Sequence, residues 1–354
     1  KKNHKFFSNL AFNLANNHLG RTNFNPSVGC LVVKDDAVIS SGVTSINGRP
    51  HAEFNALNKN VNFKDTYMYT TLEPCTHYGQ TPPCTNIIKK KNVKKVFFSF
   101  YDPDKRTYKK AKRILKKKII KFNNIKKKNL DFYKSYIINK KKKFPFIDAK
   151  LAVSKDFYTI NKTSKWITNY RSRLVTHLIR SKYDCIISTS KSINKDNSLL
   201  NCRIDGFDKF KPDLIIIDRN LKLKKKLRLF NLIKRRKIYI FTTSRDKKKI
   251  NFFKKKKINI VKINSLKNKS DFVNLFKKIY QINKGRVLIE SGLIFLDKLF
   301  KFKLINNLYL FKSNENLKDK GYNNISIKFI REMKLNKSVN VNLNDNELFK
   351  IKIM

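Results

Sequence analysis

The sequence predicts an α/β protein built as two mixed domains, and three observations predict it. β-branched and aromatic runs alternate with stretches of helical periodicity along the whole chain, the pattern of sheets covered by helices. The 354 residues suit two domains at about 150 residues each. Phe144-Pro145 closes a Lys- and Asn-rich stretch and a new β run begins at Phe146, so the domains are drawn as 1–145 and 146–354.

In the first domain a helix is expected over 5–19, with Phe7, Leu10, Ala11 and Leu14 on one face and Gly20 as its stop. Strands over 28–33 and 37–43 flank a hairpin turn at Lys34-Asp35-Asp36. A short helix over 51–58 and a β-rich strand over 66–72 follow. Pro82-Pro83 suits the first turn of a helix reaching about Lys90. Then come an apolar strand over 93–100, a basic helix over 107–117, a strand near 119–122 and a partly helical stretch over 123–144. In the second domain strands are expected at 146–153, 184–189, 213–217, 237–242, 258–263, 286–290 and 305–311. Helices are expected notably at 169–181, 271–282 and 292–301, and two last strands at 324–332 and 347–353. There is no internal repeat.

The formal charge is +56. Lys-rich runs are spread from Lys89-Lys91 to Lys254-Lys257, whereas a nucleic-acid surface gathers its cations locally and interleaves them with aromatics. The excess therefore reads as drift towards A/T-rich codons, with no specific nucleic acid as partner. Phosphorylated small molecules fit either reading. No apolar run approaches the roughly 18 residues of a membrane span and no signal peptide is visible, so a cytoplasmic location without membrane contact is expected. The sequence leaves a homo-oligomer open. In a reducing compartment the five cysteines are metal ligands or core rather than disulfides. Cys30 follows an apolar strand and reads as core. His4, His18 and His177 carry no partner pattern and read as surface or helix-face residues.

His51, Cys75 and Cys84 stand out as metal ligands. Catalytic zinc takes three protein ligands and keeps a position open, whereas structural zinc takes four. Pro50 before His51 and Pro82-Pro83 before Cys84 suggest turns feeding helix N-termini, whose partial positive charge favours thiolate and hydroxide. Glu53 lies two residues after His51, where both side chains can reach over a helix start. The zinc deaminase signature is H-x-E followed by P-C-x-x-C, with the Glu as proton shuttle and not a ligand. Here His51-Ala52-Glu53 and Pro74-Cys75 match, but Cys84 follows Cys75 by nine positions.

The string Leu72-Glu73-Pro74-Cys75-Thr76-His77-Tyr78-Gly79-Gln80-Thr81-Pro82-Pro83-Cys84, with Asn25-Pro26-Ser27-Val28-Gly29-Cys30 upstream, resembles the bifunctional riboflavin-biosynthesis deaminase/reductase family, RibD or RibG. The resemblance implies a cytidine-deaminase-like three-layer domain that deaminates 2,5-diamino-6-ribosylamino-4(3H)-pyrimidinone 5′-phosphate. His51, Cys75 and Cys84 match its zinc ligands, Glu53 its proton shuttle, and Asn25 and His77 its substrate pocket.

The second half has neither G-x-G-x-x-G nor G-x-x-x-x-G-K, so no Rossmann or P-loop site is expected. It is similar, more faintly, to the family's reductase domain, which resembles dihydrofolate reductase and uses NADPH to reduce ribosyl to ribityl. The similarity lies in Phe144 to Asp156, in Ser164-Lys165-Trp166-Ile167-Thr168, around Arg180, Asp196, Leu200 and Arg203, and in Glu290-Ser291-Gly292. It implies substrate contacts from Ser164, Arg180, Leu200, Arg203 and Glu290. Cofactor contacts are implied from Ala152, Trp166, Thr168, Ser192, Asp196 and Gly292. Arg203 would hold a 5′-phosphate, Gly292 would present backbone N–H groups to cofactor phosphate, and Lys150 with Glu290 would steer protons.

Three positions depart from the family pattern. Phe157 replaces a Gly, so that turn is expected to change, because only Gly takes positive φ freely. Asn197 and Leu293 each replace a Pro. These departures leave a deaminase with a degenerate, structural reductase half as one alternative to the bifunctional enzyme, and the net charge with the H-x-E/P-C core shared with nucleic-acid deaminases leaves a nucleic-acid-binding or RNA-editing protein as another. The nine-residue cysteine step speaks against the last.

Overall fold

A computed structural model of the chain, which describes residues 3–205, 212–335 and 337–354, builds its first sheet on one tight turn. Asp35 and Asp36 both take positive φ, 47° and 58°. This is the two-residue geometry that matches the twist of a hairpin, and it joins β1 (Gly29–Lys34) to β2 (Ala37–Val43). With β3 (Tyr67–Leu72), β4 (Lys95–Phe100) and β5 (Ile119–Lys121) the strand order is β2-β1-β3-β4-β5, antiparallel around β1 and parallel from β3 to β5.

Period-two alternation divides the strands between two apolar clusters. Leu31, Val33, Tyr69 and Phe97 meet Phe7 and Ala11 of α1 (His4–Asn17). Cys30, Val32, Met68, Val96 and Phe98 meet α2 (Ala52–Leu57), α3 (Cys84–Lys90) and α4 (Ala111–Leu115). Two glycines permit this three-layer arrangement. A Cβ on Gly29 would lie 1.9 Å from the Ala11 carbonyl oxygen, and one on Gly42 2.3 Å from that of Ala52. α5 (Lys134–Lys142) follows. Pro83 is the N-cap of α3 rather than part of its first turn. The basic helix expected over 107–117 is reduced to α4 and a 3₁₀ turn at Lys116–Lys118.

The contacts divide the chain into two compact units, Lys1–Phe144 and Pro145–Met354. The second unit runs through β6 (Phe146–Val153), β7 (Ile160–Asn161), α6 (Tyr170–Arg180), β8 (Cys185–Thr189), α7 (Ser190–Asp196), β9 (Asp213–Ile217) and β10 (Ile238–Thr242). It continues with α8 (Lys247–Lys255), β11 (Asn259–Lys262), α9 (Lys269–Gln281), β12 (Arg286–Ile289), α10 (Leu293–Lys301) and β13 (Asn307–Lys312). β14 (Gly321–Tyr322), α11 (Lys328–Arg331) and β15 (Glu347–Lys352) complete it. Its sheet has the order β11-β10-β9-β8-β12-β6-β13-β15, parallel except for β15 against β13. The apolar runs of β8, β9 and β10 are buried, as parallel strands covered on both faces require.

The expected strand at 324–332 does not form. Ile327 and Ile330 are both buried at a spacing of three, which suits the helical turn α11 and not a strand. The short helices α7 and α8, capped by Thr189 and Asp246, were not singled out by periodicity. Among the described residues no helix is long and apolar enough to cross a membrane.

Candidate functional site

His51 is the N-cap residue of α2 and Cys84 the first residue of α3, while Cys75 lies in the loop after β3. The His51 Nδ1 atom stands 3.5 Å from Cys75 Sγ and 3.4 Å from Cys84 Sγ. Their ligand atoms all lie within 4.8 Å of one another. A tetrahedral ion with Zn–S of about 2.3 Å and Zn–N of about 2.0–2.1 Å puts N and S about 3.6 Å apart, so this donor set fits zinc. Cys75 is held down to about 4, first by the hydrogen bond from the Cys84 thiol and then by His51, against burial. Its thiolate also accepts from the Cys84 backbone N–H at 3.2 Å, at the start of α3. The Cys84 thiol is pushed up by Cys75 and by burial.

Glu53, 3% exposed, sits in the first turn of α2 with Oε2 3.5 Å from Cys84 Sγ. Burial pushes its carboxyl up to about 7, with His51 opposing. A group poised near neutrality beside an open metal position is suited to carrying protons in both directions. His51 Nδ1 is the ring atom turned to the two sulfurs, while Arg49 Nη1 lies 3.3 Å from Nε2 and donates to Thr81 Oγ1 at 2.8 Å.

Around this core the expected pocket residues are anchored by hydrogen bonds, Asn25 to the main chain and His77 to a side chain. Asn25 donates from Nδ2 to the Gly48 carbonyl at 3.1 Å. Gly48 lies so close to it that a Cβ would come 2.5 Å from Asn25 Nδ2. His77 meets Thr107 Oγ1 at 3.1 Å, and burial, then Arg106, lowers its pKa. Glu73, within the Leu72-to-Cys84 string, organises this side. Its buried carboxylate accepts from the backbone N–H groups of Asp102, Lys109 and Ala111 at 3.4, 3.0 and 3.1 Å. That is why 102–110 folds as turns around an acid and not as helix, and why Thr107 faces His77. The sequence carries no signal for it, since the partners are main-chain groups.

In the second unit Arg180 on α6 grips Glu290, just past β12, with two parallel bonds of 2.6 and 2.8 Å. β6 runs beside β12 with Ala149 opposite Ile289, which brings Lys150 beside Glu290. Burial lowers the pKa of Lys150, with Glu290 opposing. Burial would raise Glu290, but the Arg180 pair holds it below the usual carboxylate value. The Asn201 carbonyl accepts from Arg180 Nη1 at 3.0 Å and lies 2.9 Å from His177 Nδ1. Arg203 Nη1 donates to Asn201 Oδ1 at 2.8 Å. His177 is thus not a surface residue. It is 6% exposed, and burial and then Arg180 push it down to about 4.

The candidate cofactor residues are only partly drawn together. Gly292, the N-cap of α10, donates its N–H to Ser192 Oγ in the first turn of α7 at 3.2 Å. Trp166 is 52% exposed under the Arg173 guanidinium, 4.6 Å from the ring centroid, and its N–H donates to Ser164 Oγ at 3.2 Å. Lys165 Nζ reaches the Asp196 carbonyl at 3.1 Å, which ties this loop to the end of α7. The Thr168 carbonyl is taken by Arg173 at 2.8 Å, and Ala152 lies on β6 opposite Phe311. Leu200 is buried with φ 47°. Phe157 takes φ 67°, the left-handed conformation a Gly adopts freely, and Asn197 takes φ 45°. Leu293 fills the first position of α10 with a buried apolar side chain.

Comparison with known proteins agrees across both units. The family profile for the cytidine and deoxycytidylate deaminase zinc-binding region matches residues 1–100, and that for the RibD C-terminal domain matches 145–313. The riboflavin biosynthesis protein RibD of Aquifex aeolicus is 29% identical over 316 residues, covering 87% of this chain and 86% of its own length. That of Bacillus amyloliquefaciens is 32% identical over 222 residues, covering 61% and 60%. A diaminohydroxyphosphoribosylaminopyrimidine deaminase/5-amino-6-(5-phosphoribosylamino)uracil reductase from Thermotoga maritima superposes with a TM-score of 0.82 at 25% identity, over 99% of this chain and 98% of its own. Acinetobacter baumannii RibD gives 0.81 at 24% identity, over 99% and 98%. The fold is therefore a cytidine-deaminase-like unit followed by a dihydrofolate-reductase-like one.

Proposed function

The chain belongs to the RibD family of bifunctional riboflavin-biosynthesis enzymes, and from that premise we propose that its first unit hydrolytically deaminates 2,5-diamino-6-ribosylamino-4(3H)-pyrimidinone 5′-phosphate and its second reduces the ribosyl group of the product with NADPH. The observation that carries the first half is the meeting of His51, Cys75 and Cys84 around one point with the buried carboxyl of Glu53 beside them. His51, Cys75 and Cys84 would hold zinc, which would supply activation of a water at neutral pH. Glu53 would carry the proton from the attacking water to the departing amine. A carboxyl raised to about 7 both accepts and gives at neutral pH. Asn25 and His77 orient the pyrimidine.

In the second unit NADPH supplies the hydride. Gly292 and Ser192, hydrogen-bonded to each other, meet at the start of α10, where the N–H groups of the helix's first turn suit its phosphate. Ala152, Trp166, Thr168 and Asp196 are its further contacts. Ser164, Leu200 and the Arg180, Arg203 and Glu290 cluster hold the phosphorylated sugar, and Lys150 beside Glu290 handles the proton of ring opening. The positive φ at Phe157, the conformation a Gly would supply there, supports a working reductase over a degenerate one. No specific nucleic acid, membrane or protein partner enters this scheme, a cytoplasmic location suits it, and a homo-oligomer is compatible with it.

Glu53→Gln is the direct test. Metal content stays at one zinc per chain while ammonia release falls at least ~100-fold; retained turnover would remove Glu53 from its role. NADPH oxidation with the deaminated intermediate tests the second half. A folded, zinc-loaded protein without that turnover would be a deaminase only.

A further inference from the structure

Behind the segment that carries Leu200 and Arg203 lies a cation used by neither reaction. Arg236, 5% exposed, precedes β10. Its Nη1 donates to the carbonyl of Leu200 at 2.6 Å and of Pro212 at 3.2 Å, and its Nη2 donates to the carbonyl of Leu199. Its Nε is buried without a partner.

A desolvated guanidinium held by carbonyls is an expensive core residue, because the charge of Asp213 offsets only part of the lost hydration and burial still lowers its pKa to about 10. An apolar side chain of the same size would fill the volume at less cost. What the guanidinium adds is direction, through a rigid plane of donors that fixes several acceptors at once. The acceptors here belong to a loop that needs fixing. Asn197 and Leu200 both take positive φ, 45° and 47°; Asn tolerates this region, but it costs Leu200 about 1–2 kcal/mol. The loop is gripped at further points. Asn197 Oδ1 accepts from the Arg228 backbone N–H at 3.0 Å, and the Asn201 carbonyl accepts from Arg180. Directly after the Arg236 contacts, Asn201 Oδ1 holds the Arg203 guanidinium.

We propose that Arg236 is a positioning residue for the reductase substrate: by holding the carbonyls of Leu199 and Leu200 it fixes the strained loop that aims Arg203 at the substrate phosphate. This rests on the reading of the second unit as a reductase. Arg236 touches no reacting atom, so its effect falls on substrate affinity and passes through Arg203.

The test uses the full-length, zinc-loaded protein. Steady-state NADPH oxidation with the deaminated phosphorylated intermediate is measured for wild type, Arg236→Lys, Arg236→Gln, Arg203→Ala and the Arg236→Lys/Arg203→Ala double variant. Calorimetric titration with ribose 5-phosphate serves as a binding readout independent of turnover. Arg236→Lys is expected to raise KM for the intermediate and Kd for ribose 5-phosphate about tenfold, with kcat within about twofold and KM for NADPH unchanged. In the Arg203→Ala background the same change adds nothing, because coupled residues are not additive. Unchanged KM and Kd, or an equal rise in both backgrounds, overturns the proposal. So does failure of both single Arg236 variants to fold, which would make the side chain a stability determinant. A wild-type protein that does not oxidise NADPH sinks the reductase reading instead, and shows this before any substitution is made.

Discussion

Glu53 sets burial against charge most sharply. Its carboxyl, raised by burial from an ordinary 4.5 to about 7, favours the protonated form in the folded state. The stability this contributes is fully present below the unfolded value of 4.5 and is lost as pH climbs through about 7. In the metal-free protein Glu53→Gln should therefore be more stable than wild type at pH 8 by up to about 3 kcal/mol, with no gain at pH 4. Urea unfolding in a chelating buffer at the two pH values checks this. His51, Glu53, Cys75 and Cys84 were legible as a set because metal chemistry restricts residue type and spacing. Glu73, His177 and Arg236 were not, because their partners are largely backbone groups of distant segments. Any sequence supplies such groups, so none marks the residue that uses them.

Secondary elements followed their periodicity wherever one face was apolar and long enough. The first hairpin, the parallel strands of the second sheet and helices α6, α9 and α10 all formed near their expected positions. Short elements were decided by contacts. The carboxylate of Glu73 unmade half of the expected basic helix, and Ile327 with Ile330 turned an expected strand into a helical turn. Close approach makes Gly29 the most sensitive position in the first sheet. Gly29→Ala forces its Cβ against the Ala11 carbonyl oxygen at 1.9 Å and should cost about 3 kcal/mol, read as a lowered melting temperature. At the Phe157 turn, with φ 67°, Phe157→Gly should be tolerated. Phe157→Val should cost about 2 kcal/mol, since a β-branched residue resists the left-handed region. Thermal melts of the pair decide whether the turn holds its conformation.

At the scale of the whole molecule, the His51, Cys75 and Cys84 cluster proposed to hold zinc lies wholly in the first unit and the Arg180–Glu290 cluster wholly in the second. Chelating zinc should therefore abolish ammonia release and leave NADPH oxidation of added intermediate intact, which parallel assays on one sample will show. The charge of +56 is spread over the chain. Affinity for single-stranded RNA should accordingly fall steeply with added salt and show no sequence preference; tight, sequence-dependent binding at physiological salt would revive the nucleic-acid reading. By itself the sequence determined the two α/β halves, most of their strands and the three candidate metal ligands with Glu53 beside them, because hydrophobic period and ligand chemistry are local properties of residue type and spacing. Only the tertiary structure decided how loops are pinned, where left-handed residues are tolerated and which buried charges face one another. Those outcomes depend on main-chain donors and acceptors brought together across the fold, and a linear pattern of side chains does not record them.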